Sequence, residues 1–233
     1  MISKQPADQS RILAIIPARG GSKGVPRKNL RPIAGRPMIE YTIEVAREVA
    51  DLFHRVIVST DDAEIAEIAR TAGADVPFMR PANLASDKSP TLPVMQHAVE
   101  FVEAEDDVSI DWICLLQPTS PLRTAEDIEG VVNIALNGES DSVISVVQVH
   151  AVHPVLMKRI ESGRLLPFST EEPEGTRRQD LKPEAFMRNG SIYLTRRDVL
   201  MDDNSIWGQS IQPYVMPEDR SVGVDSELDL KLV

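Results

Sequence analysis

The chain has 233 residues, of which 42% are apolar and 26% charged, and its formal net charge is -11. This composition is typical of a globular protein and predicts one large domain, from residue 11 to residue 233. The acidic balance argues against nucleic-acid binding, and no apolar run approaches the ~20 residues that a membrane-spanning helix needs. The polar start MISKQPADQS lacks the apolar core of a signal peptide, and the single cysteine excludes an intrachain disulfide. We therefore expect a cytoplasmic protein.

Positive charge is concentrated early, in the segment RILAIIPARGGSKGVPRKNLRPIAGR. Seven basic residues and no acidic residue lie between Arg11 and Arg36, which leaves 18 basic against 36 acidic residues elsewhere. The apolar run 12–17 predicts a buried strand, and the glycines after it let backbone N–H groups turn toward a ligand. Lysine and arginine supply charge and donors for phosphate, so the segment predicts a polyphosphate site. The alternative is an ordinary solvated turn, because the spacing fits neither a Walker A loop nor a dinucleotide fingerprint.

Helices and strands alternate after this segment. Helical spacing of apolar residues predicts four helices, at 37–53, 61–73, 91–105 and 124–136. Short apolar runs predict three further strands, at 54–60, 111–117 and 142–149. Thr124 and Asp127 have the spacing of a capping box. The alternation predicts a mostly parallel α/β sheet with helices on both faces, in which ligands bind at the carboxyl ends of the strands.

Two polar loops lie where such a ligand would bind. Residues 80–91, RPANLASDKSPT, are either a surface loop that ends in a helix N-cap at Thr91 or a loop that wraps a base and a ribose. Residues 117–123, QPTSPLR, contain two prolines and present Gln117 and Arg123 after a buried strand. A long polar loop in that position favours a binding function.

Residues 150–187 break the alternation and predict a β-hairpin arm that packs on a partner subunit. The run 191–200 then predicts a strand and a helix, and 221–233 predicts a strand, a turn and the start of a helix. His150 and His153 are three residues apart, but no nearby ligand completes a metal site. Asp225 could anchor a magnesium ion together with substrate phosphates, or it could belong to a helix N-terminus capped by Ser226 and Asp229.

The sequence shows no Ser/His/Asp or Cys/His nucleophile set. Basic side chains together with one candidate metal ligand are the groups that phosphoryl or nucleotidyl transfer requires. Five motifs occur in order: IPARGGSKGVPRKN, RPANLASDKSPT, LLQPTSPLR, FMRNGSIY and VDSELDL. In order and spacing they resemble the acylneuraminate cytidylyltransferases, or CMP-N-acetylneuraminate synthetases, from about residue 11 to the end. The resemblance implies a Rossmann-like nucleotide-diphospho-sugar transferase fold, with 150–187 as a dimerisation arm and a homodimer or a dimer of dimers.

The resemblance also implies a reaction and a site. CTP and a sialic-type nonulosonic acid would give a CMP-sugar and pyrophosphate, with Mg²⁺ or Mn²⁺ as the cofactor. By motif position, the catalytic contacts to the phosphates would come from Arg19, Lys23 and Lys28. Asn29 would bind the nucleotide near the phosphates, and Arg80, Ser89 and Thr91 would contact the cytidine. The sugar acid would contact Gln117, Tyr193 and Arg178, the last in the neighbouring subunit's site, and Asp225 would bind the metal.

One position departs from the family pattern. Where the family commonly has Asp-x-Asp, this chain has Gly223, Val224 and Asp225, so the first carboxylate is missing. A catalytically impaired nucleotide-binding or regulatory homologue is therefore one alternative, and a related sugar nucleotidyltransferase with another donor, such as GTP, or another sugar acid is a second. The related 3-deoxy-octulosonate branch is disfavoured, because it usually carries an aspartate after Gln-Gly where this chain has QPTSP.

Overall fold

The computed structural model describes residues 10–22, 24–175 and 177–233, and its first two thirds alternate strands with helices. The strands of this part are β1 (Ile12–Pro17), β2 (Pro32–Ile33), β3 (Arg36–Pro37), β4 (Arg55–Ser59), β5 (Trp112–Leu116) and β6 (Ser142–Val149). Its helices are α1 (Met38–Glu48), α2 (Ala63–Thr71), α3 (Thr91–Asp106) and α4 (Ala125–Asn137). The last third contains β7 (Lys158–Glu161), β8 (Arg164–Pro167), β9 (Ala185–Arg196), α5 (Arg197–Met201) and β10 (Ile211–Met216).

Six strands form the central sheet, in the order β10-β6-β9-β5-β1-β4. β1 pairs in parallel with β4 and β5, and β10 pairs in parallel with β6. β9 runs antiparallel between β5 and β6. The predicted mostly parallel α/β sheet is therefore confirmed. Because β9 runs in the opposite direction, its first residues lie at the same edge as the last residues of β5 and β6.

The core lies on both faces of this sheet. Along β1, Ile12, Ala14 and Ile16 pack toward α1, α2 and α4, whereas Leu13 and Ile15 pack toward α3. All five side chains are fully buried, as expected for a strand that is covered on both sides. Removing such apolar surface from water, at about 25 cal/mol per Å², is the main favourable contribution to folding.

The predicted helices are present, with shifted ends. α1 ends at Glu48, and the rest of the predicted span is a separate 3-10 turn at Ala50–Leu52. Pro37 is the N-cap of α1 and not its first helical residue, because it belongs to the short strand β3. Pro90 is the N-cap of α3, so an N-cap at Thr91 is wrong by one residue. The capping box of Thr124 and Asp127 is confirmed.

The strands of the last third differ more from the prediction. β9 begins at Ala185, so residues 185–187, expected in the arm, belong to the central sheet. β10 was not predicted, and it forms an edge of the sheet. The strand expected within 221–233 is absent from this described segment, which contains only a 3-10 turn at Asp229–Lys231. Val224 is instead anchored by one backbone bond, from its N–H to the carbonyl of Thr119 at 2.8 Å.

The predicted hairpin is present in the arm, where β7 and β8 pair in antiparallel register. Its apolar side chains are unusually exposed, with Ile160 at 77%, Leu165 at 67% and Phe168 at 60%. The role of the arm in dimerisation stays a prediction. Across the described ranges, every helix is too short or too polar to cross a lipid bilayer.

Candidate active site

A cleft of about 700 Å³ opens at the edge of the sheet where β1 and β5 end. Its walls come from the loop after β1, residues 80–94, the loop after β5, the start of β9 and the C-terminal segment. It is lined by nine of the predicted site residues: Arg19, Lys28, Asn29, Arg80, Ser89, Thr91, Gln117, Tyr193 and Asp225. Lys23 lies outside the described residues. Arg178, on the 3-10 turn Arg178–Asp180 of the arm, does not line this cleft.

The basic loop after β1 is tied to the loops beside it. Arg19 donates to the carbonyl of Ser86 at 2.8 Å and pairs with Asp87 at 3.2 Å. The buried side chain of Asn29 donates to the carbonyl of Arg19 at 3.0 Å, which fixes the turn from within. Arg19 therefore reaches the cleft from a backbone that Asn29 holds in place.

The glycines of this loop serve different purposes. The N–H of Gly20 donates to Asp61 at 3.0 Å, and a Cβ at this position would lie 2.5 Å from the carboxylate of Asp62. Gly20 is therefore required by close packing and its amide is already used. Gly21 has open space around it and lines the cleft with Ser22. Among the described residues of this loop, Gly21 and Ser22 are the ones beside Arg19 that could present backbone N–H groups to an anion in the cleft.

Lys28 connects the basic loop to the C-terminal segment. Its ammonium group donates to the carboxylate of Asp225 at 2.8 Å and to the carbonyl of Val224 at 2.9 Å. The Lys28 side chain is 13% exposed, whereas that of Asp225 is 87% exposed. A Cβ at Gly24 would lie 2.7 Å from the carbonyl oxygen of Asp225, so glycine is needed there for the two segments to meet. Asp225 thus lies at the mouth of the cleft beside a predicted phosphate ligand.

The segment 80–91 is more structural than the sequence indicated. Arg80 is buried, and its guanidinium donates to the hydroxyl of Ser59 at 3.0 Å and to the Ser59 carbonyl. Burial lowers the pKa of Arg80 to about 10, with Asp61 opposing this effect, so the group stays cationic at neutral pH. Ser89 exchanges a hydrogen bond with Ser86 at 2.8 Å. These hydrogen bonds fix the segment in place as one wall of the cleft.

The loop after β5 is supported from below by Arg123. This side chain is only 3% exposed and donates to the carbonyl of Gln117 at 2.8 Å and to the hydroxyl of Ser191 at 3.2 Å. Burial lowers the pKa of Arg123 to about 10. The sequence had suggested that Arg123 is presented to a ligand; the structure shows that it holds the loop in shape. Gln117 lines the cleft above it.

The residues that line the cleft without having been predicted as site residues include Arg188, Asn189, Gly190 and Trp207. The guanidinium of Arg188 lies over the ring of Trp207 at 4.4 Å, and this ring contacts Tyr193 edge-on at 5.3 Å. Gly190 has φ 77°, and a Cβ there would lie 3.0 Å from Gln117 Oε1. The motif FMRNGSIY already contained the first three residues, whereas nothing in the sequence around Trp207 pointed to a site.

The metal-binding candidates differ in their surroundings. Among the described residues, no group of three or more His, Cys, Asp and Glu side chains is arranged to hold an ion. The ring of His153 donates to the carbonyl of Pro183 at 2.8 Å, as expected for a structural histidine. Ser226 and Asp229 form the predicted reciprocal cap, which leaves the carboxylate of Asp225 directed at Lys28. One exposed carboxylate beside a predicted phosphate site fits a magnesium ion that would take its other ligands from substrate and water.

Comparison with known proteins shows which family this chain belongs to. The family described as cytidylyltransferase matches residues 13–207. The chain belongs to the cytidylyltransferase family. This cytidylyltransferase is 36% identical over 228 residues to post-translational flagellin modification protein B of Campylobacter coli, covering 96% of the chain and 94% of the relative. It is 34% identical over 222 residues to CMP-N,N'-diacetyllegionaminic acid synthase of Campylobacter jejuni, covering 95% and 93%.

A solved structure supports the fold. CMP:2-keto-3-deoxy-manno-octonic acid synthetase complexed with CTP superimposes with a TM-score of 0.66 and 24% identity, covering 95% of this chain and 96% of that one. The predicted nucleotide-diphospho-sugar transferase fold is thereby confirmed, as is the predicted membership of the acylneuraminate cytidylyltransferases. The cytidylyltransferase is an enzyme of this type.

Proposed function

We propose that this cytidylyltransferase joins CMP, taken from CTP, to a nonulosonic acid of the sialic, legionaminic or pseudaminic type and releases pyrophosphate. The names of its relatives support this substrate class. The observation that carries the proposal is the composition of this cleft. Arg19 and Lys28 line one part of it, and Gln117 and Tyr193 line another. A triphosphate and a polar sugar acid can therefore meet in one cavity.

The order of the strands predicts how the two substrates lie. The basic loop follows β1, and Arg80 is hydrogen-bonded to Ser59 at the end of β4. Gln117 follows β5, and Arg188 lies on β9. These strands are neighbours in the sheet in the order β4, β1, β5, β9. The nucleotide therefore lies toward β4, near the cations, and the sugar acid lies toward β9. The α-phosphate then lies near the ends of β1 and β5, where the two halves of the cleft meet.

The chemistry follows from this arrangement. The anomeric hydroxyl oxygen of the sugar acid attacks the α-phosphorus of CTP, and a new P–O bond forms. The bond from the α-phosphorus to the oxygen that bridges it to the β-phosphate breaks, and pyrophosphate leaves with that electron pair while the hydroxyl proton passes to water. Arg19 and Lys28 are placed to stabilise the charge that gathers on the phosphate oxygens. Two of the three Lys28 donors already bind Asp225 and Val224, which leaves one for a phosphate.

Magnesium is the proposed cofactor, and its proposed binding site is at Asp225. When bound, Mg²⁺ neutralises charge on the triphosphate. Asp225 would hold it, because its carboxylate is exposed at the mouth of the cleft and next to Lys28. Gly223 supplies no second carboxylate, so phosphate oxygens and water would complete the ion's coordination.

The carboxylate of the sugar acid needs a cation at the β9 end of the cleft, and we propose Arg188 for this role. In the described part of the chain its charge forms no ion pair and is stacked on Trp207. Tyr193 beside it can donate a hydrogen bond, because burial raises the pKa of its hydroxyl against a weaker opposing effect of Arg188. Arg178 stays a prediction that requires the arm of a second subunit.

The decisive experiment measures pyrophosphate release with CTP, Mg²⁺ and each of the three acids in turn. We expect release only when all three components are present, and with one acid clearly preferred. Replacing CTP by GTP tests the alternative donor. Folded protein that releases no pyrophosphate with any acid would contradict the proposal. Replacing Arg188 by Ala should raise KM for the sugar acid with little change in KM for CTP.

Two further proposals accompany the reaction. A homodimer, or a dimer of dimers, is proposed because the arm exposes apolar side chains such as Ile160 and Leu165. A cytoplasmic location is proposed on the sequence-based expectation alone. Neither outcome would alter the assignment of the residues that line the cleft within one chain, whereas the predicted role of Arg178 requires the dimer.

A further inference from the structure

One buried carboxylate joins α4 to the C-terminal segment. Asp127, in the first turn of α4, accepts hydrogen bonds from Arg220 Nε at 3.1 Å and from Arg220 Nη2 at 2.7 Å. It also accepts from the N–H of Thr124 at 3.0 Å and from the hydroxyl of Tyr214 at 3.3 Å. The side chain of Asp127 is 0% exposed and that of Arg220 is 30% exposed. This is a two-pronged ion pair in which the anion is fully desolvated.

The two partners lie next to different walls of the cleft. Asp127 follows the loop 117–123, which contains Gln117, and Arg220 precedes Gly223 and Asp225 in the chain. Neither Asp127 nor Arg220 lines the cleft. The pair is thus a tie between two walls and does not contact the space where substrates would bind.

The C-terminal segment needs such a tie because no strand or helix holds it. Between residues 221 and 225 the chain is irregular, and apart from Val224, which is fully buried against Ile33 and Met38, it is anchored by single hydrogen bonds. The side-chain amide of Asn189 donates to the hydroxyl of Ser221 at 3.0 Å, and the N–H of Val224 donates to Thr119. The segment has one ion pair on the N-terminal side of Asp225, between Arg220 and Asp127, and a second at Asp225 itself, with Lys28.

We propose that Arg220 is a positioning residue, which through its ion pair with Asp127 sets how tightly the cleft binds a divalent cation at Asp225. The proposal rests on the proposed role of Asp225 as metal ligand. Removing the charge of Arg220 would leave the carboxylate of Asp127 buried without a counter-charge, which is energetically costly. The C-terminal segment would then move away from α4 and admit water to this carboxylate. Because Asp225 is five residues further along the same segment, it would lose its fixed distance to the phosphates.

The test measures binding of Mn²⁺ to the CTP complex, without sugar acid and therefore without turnover, by electron paramagnetic resonance. Changes to groups that hydrogen-bond a metal ligand weaken metal binding by roughly 10- to 100-fold. Arg220 acts on Asp225 only through the chain between them, so we expect the low end of that range, about tenfold, for Arg220→Gln. Arg220→Lys keeps the charge and should recover part of the loss. It also serves as the test variant if Arg220→Gln does not fold, with weakened Mn²⁺ binding again expected.

A matched control is available at Arg197. It forms an equally two-pronged pair with Glu103, at 2.7 and 2.9 Å, with side-chain exposures of 33% and 17%. This pair lies away from the cleft lining, so Arg197→Gln should lower the melting temperature as Arg220→Gln does but leave Mn²⁺ binding unchanged. Equal Mn²⁺ affinities in the two variants would overturn the proposal.

Asp225→Asn separates this inference from the proposed function beneath it. Loss of Mn²⁺ binding in Asp225→Asn, together with weaker binding in the Arg220 variants, supports both. Loss in Asp225→Asn with wild-type affinity in the Arg220 variants overturns only the positioning role. Undiminished binding in Asp225→Asn overturns the metal assignment and the positioning role with it.

Discussion

The ammonium group of Lys28 is the point where the basic loop, the C-terminal segment and the cleft meet. Replacing Lys28 by Met keeps the length and the apolar stem but removes the charge. We expect turnover to fall at least about tenfold, because one donor that stabilises transition-state charge is commonly worth that much or more. Steady-state pyrophosphate release measures the effect.

The control for this prediction is Arg31→Gln. Arg31 pairs with Glu227 at 2.6 Å on the exposed surface and does not line the cleft. Exposed pairs contribute about 0–1 kcal/mol to stability, so this variant should keep near-normal kinetics. Comparable rates for Lys28→Met and Arg31→Gln would remove Lys28 from the catalytic set.

Gly223 offers a test in which activity is gained. A Cβ at this position would have one neighbour, the carbonyl oxygen of Asn189, at an ordinary 3.9 Å, so a side chain fits. Gly223→Asp would place a second carboxylate two residues from Asp225. We expect Mn²⁺ to bind the CTP complex several-fold more tightly, since affinity rises with the number of charged ligands. Titration followed by electron paramagnetic resonance measures this change.

Gly223→Asn is the neutral control of the same size. It adds the bulk of the aspartate without the charge, so it should leave Mn²⁺ affinity near that of the natural chain. A large rise in turnover in Gly223→Asp alone would indicate that the natural enzyme operates with an impaired metal site. Identical affinities in both variants would exclude Gly223 from the neighbourhood of the metal.

At the residue scale, the family resemblance named nine residues that line the cleft, and most of them lie in loops after a strand or before a helix. Arg19, Lys28 and Gln117 are examples, because the end of a parallel strand fixes the position of the loop residues after it. Trp207 could not be predicted in this way, since it enters the cleft from an irregular segment after α5. The role of Arg123 was misjudged because burial of a guanidinium beneath a loop depends on tertiary packing.

At the element scale, the start of α4 depends on the charge of Asp127. Burial acts to raise the pKa of this carboxyl, but hydrogen bonds from Arg220 and Thr124 outweigh it and hold the pKa below its usual value. A folded-state pKa below the unfolded value of about 3.9 means that the unfolded chain binds more protons in acid. The stabilisation is therefore present above that pH and is lost as the pH falls through the lower, folded-state value.

Asp127→Asn tests this dependence. Breaking one side of a buried ion pair costs about 3 kcal/mol or more, so we expect a difference of that size in the free energy of unfolding at pH 7. The difference should shrink as the pH is lowered below about 4. Urea unfolding at several pH values measures it. The exposed Asp180, paired with Arg177, provides a control in Asp180→Asn, which should change little at any pH.

A difference between Asp127→Asn and the natural chain that stays constant into acid would contradict the electrostatic explanation. It would assign the loss to packing or to the altered capping box. The control also guards against a general effect of removing one acidic residue from a chain with a net charge of -11.

The strands that the sequence mispredicted have one property in common: each depends on hydrogen bonds to a strand that is distant in the sequence. β10 contains Pro213, which weakens a strand signal, but it lies at the edge of the sheet, where a missing N–H is tolerated. β9 begins with the stretch AFMRNG, which has no clear apolar alternation and is held extended by its pairing with β6. The sequence 221–224 has a strand-like composition but has no pairing edge, so it remains irregular.

At the scale of the whole molecule, the arm carries apolar surface that the single chain leaves open to solvent. Ile160 is 77% exposed and Leu165 is 67% exposed, and they lie opposite each other in the hairpin register. If a second copy covers this surface, replacing both by Asp should convert dimers to monomers without unfolding the chain. Analytical ultracentrifugation measures the change in mass.

Leu232→Asp is the matched control, because Leu232 is 65% exposed and lies far from the hairpin in the sequence. It adds a similar charge on a similarly exposed side chain and should leave the mass unchanged. Monomers in both the control and the natural chain would contradict a dimer altogether. Dimers that survive the double change in the arm would assign the interface to another surface.

The position of Arg178 gives a prediction about how two subunits share a site. Arg178 lies on the arm and does not line the cleft of its own chain, although the family resemblance gives it a sugar-acid contact. If the arm reaches the cleft of a second subunit, Arg178→Ala and Lys28→Met should each inactivate their homodimers. A heterodimer of the two variants should recover about half of the natural activity, because one of its two symmetric sites is intact.

The intact site of that heterodimer combines Lys28 from the Arg178→Ala subunit with Arg178 from the Lys28→Met subunit. Co-expression with two different affinity tags isolates the heterodimer, and pyrophosphate release measures its activity. Should Arg178 act within its own chain, both sites of the heterodimer would be defective and no activity would return. Should Arg178 have no role, the Arg178→Ala homodimer would itself be active, so the three possibilities give three different results.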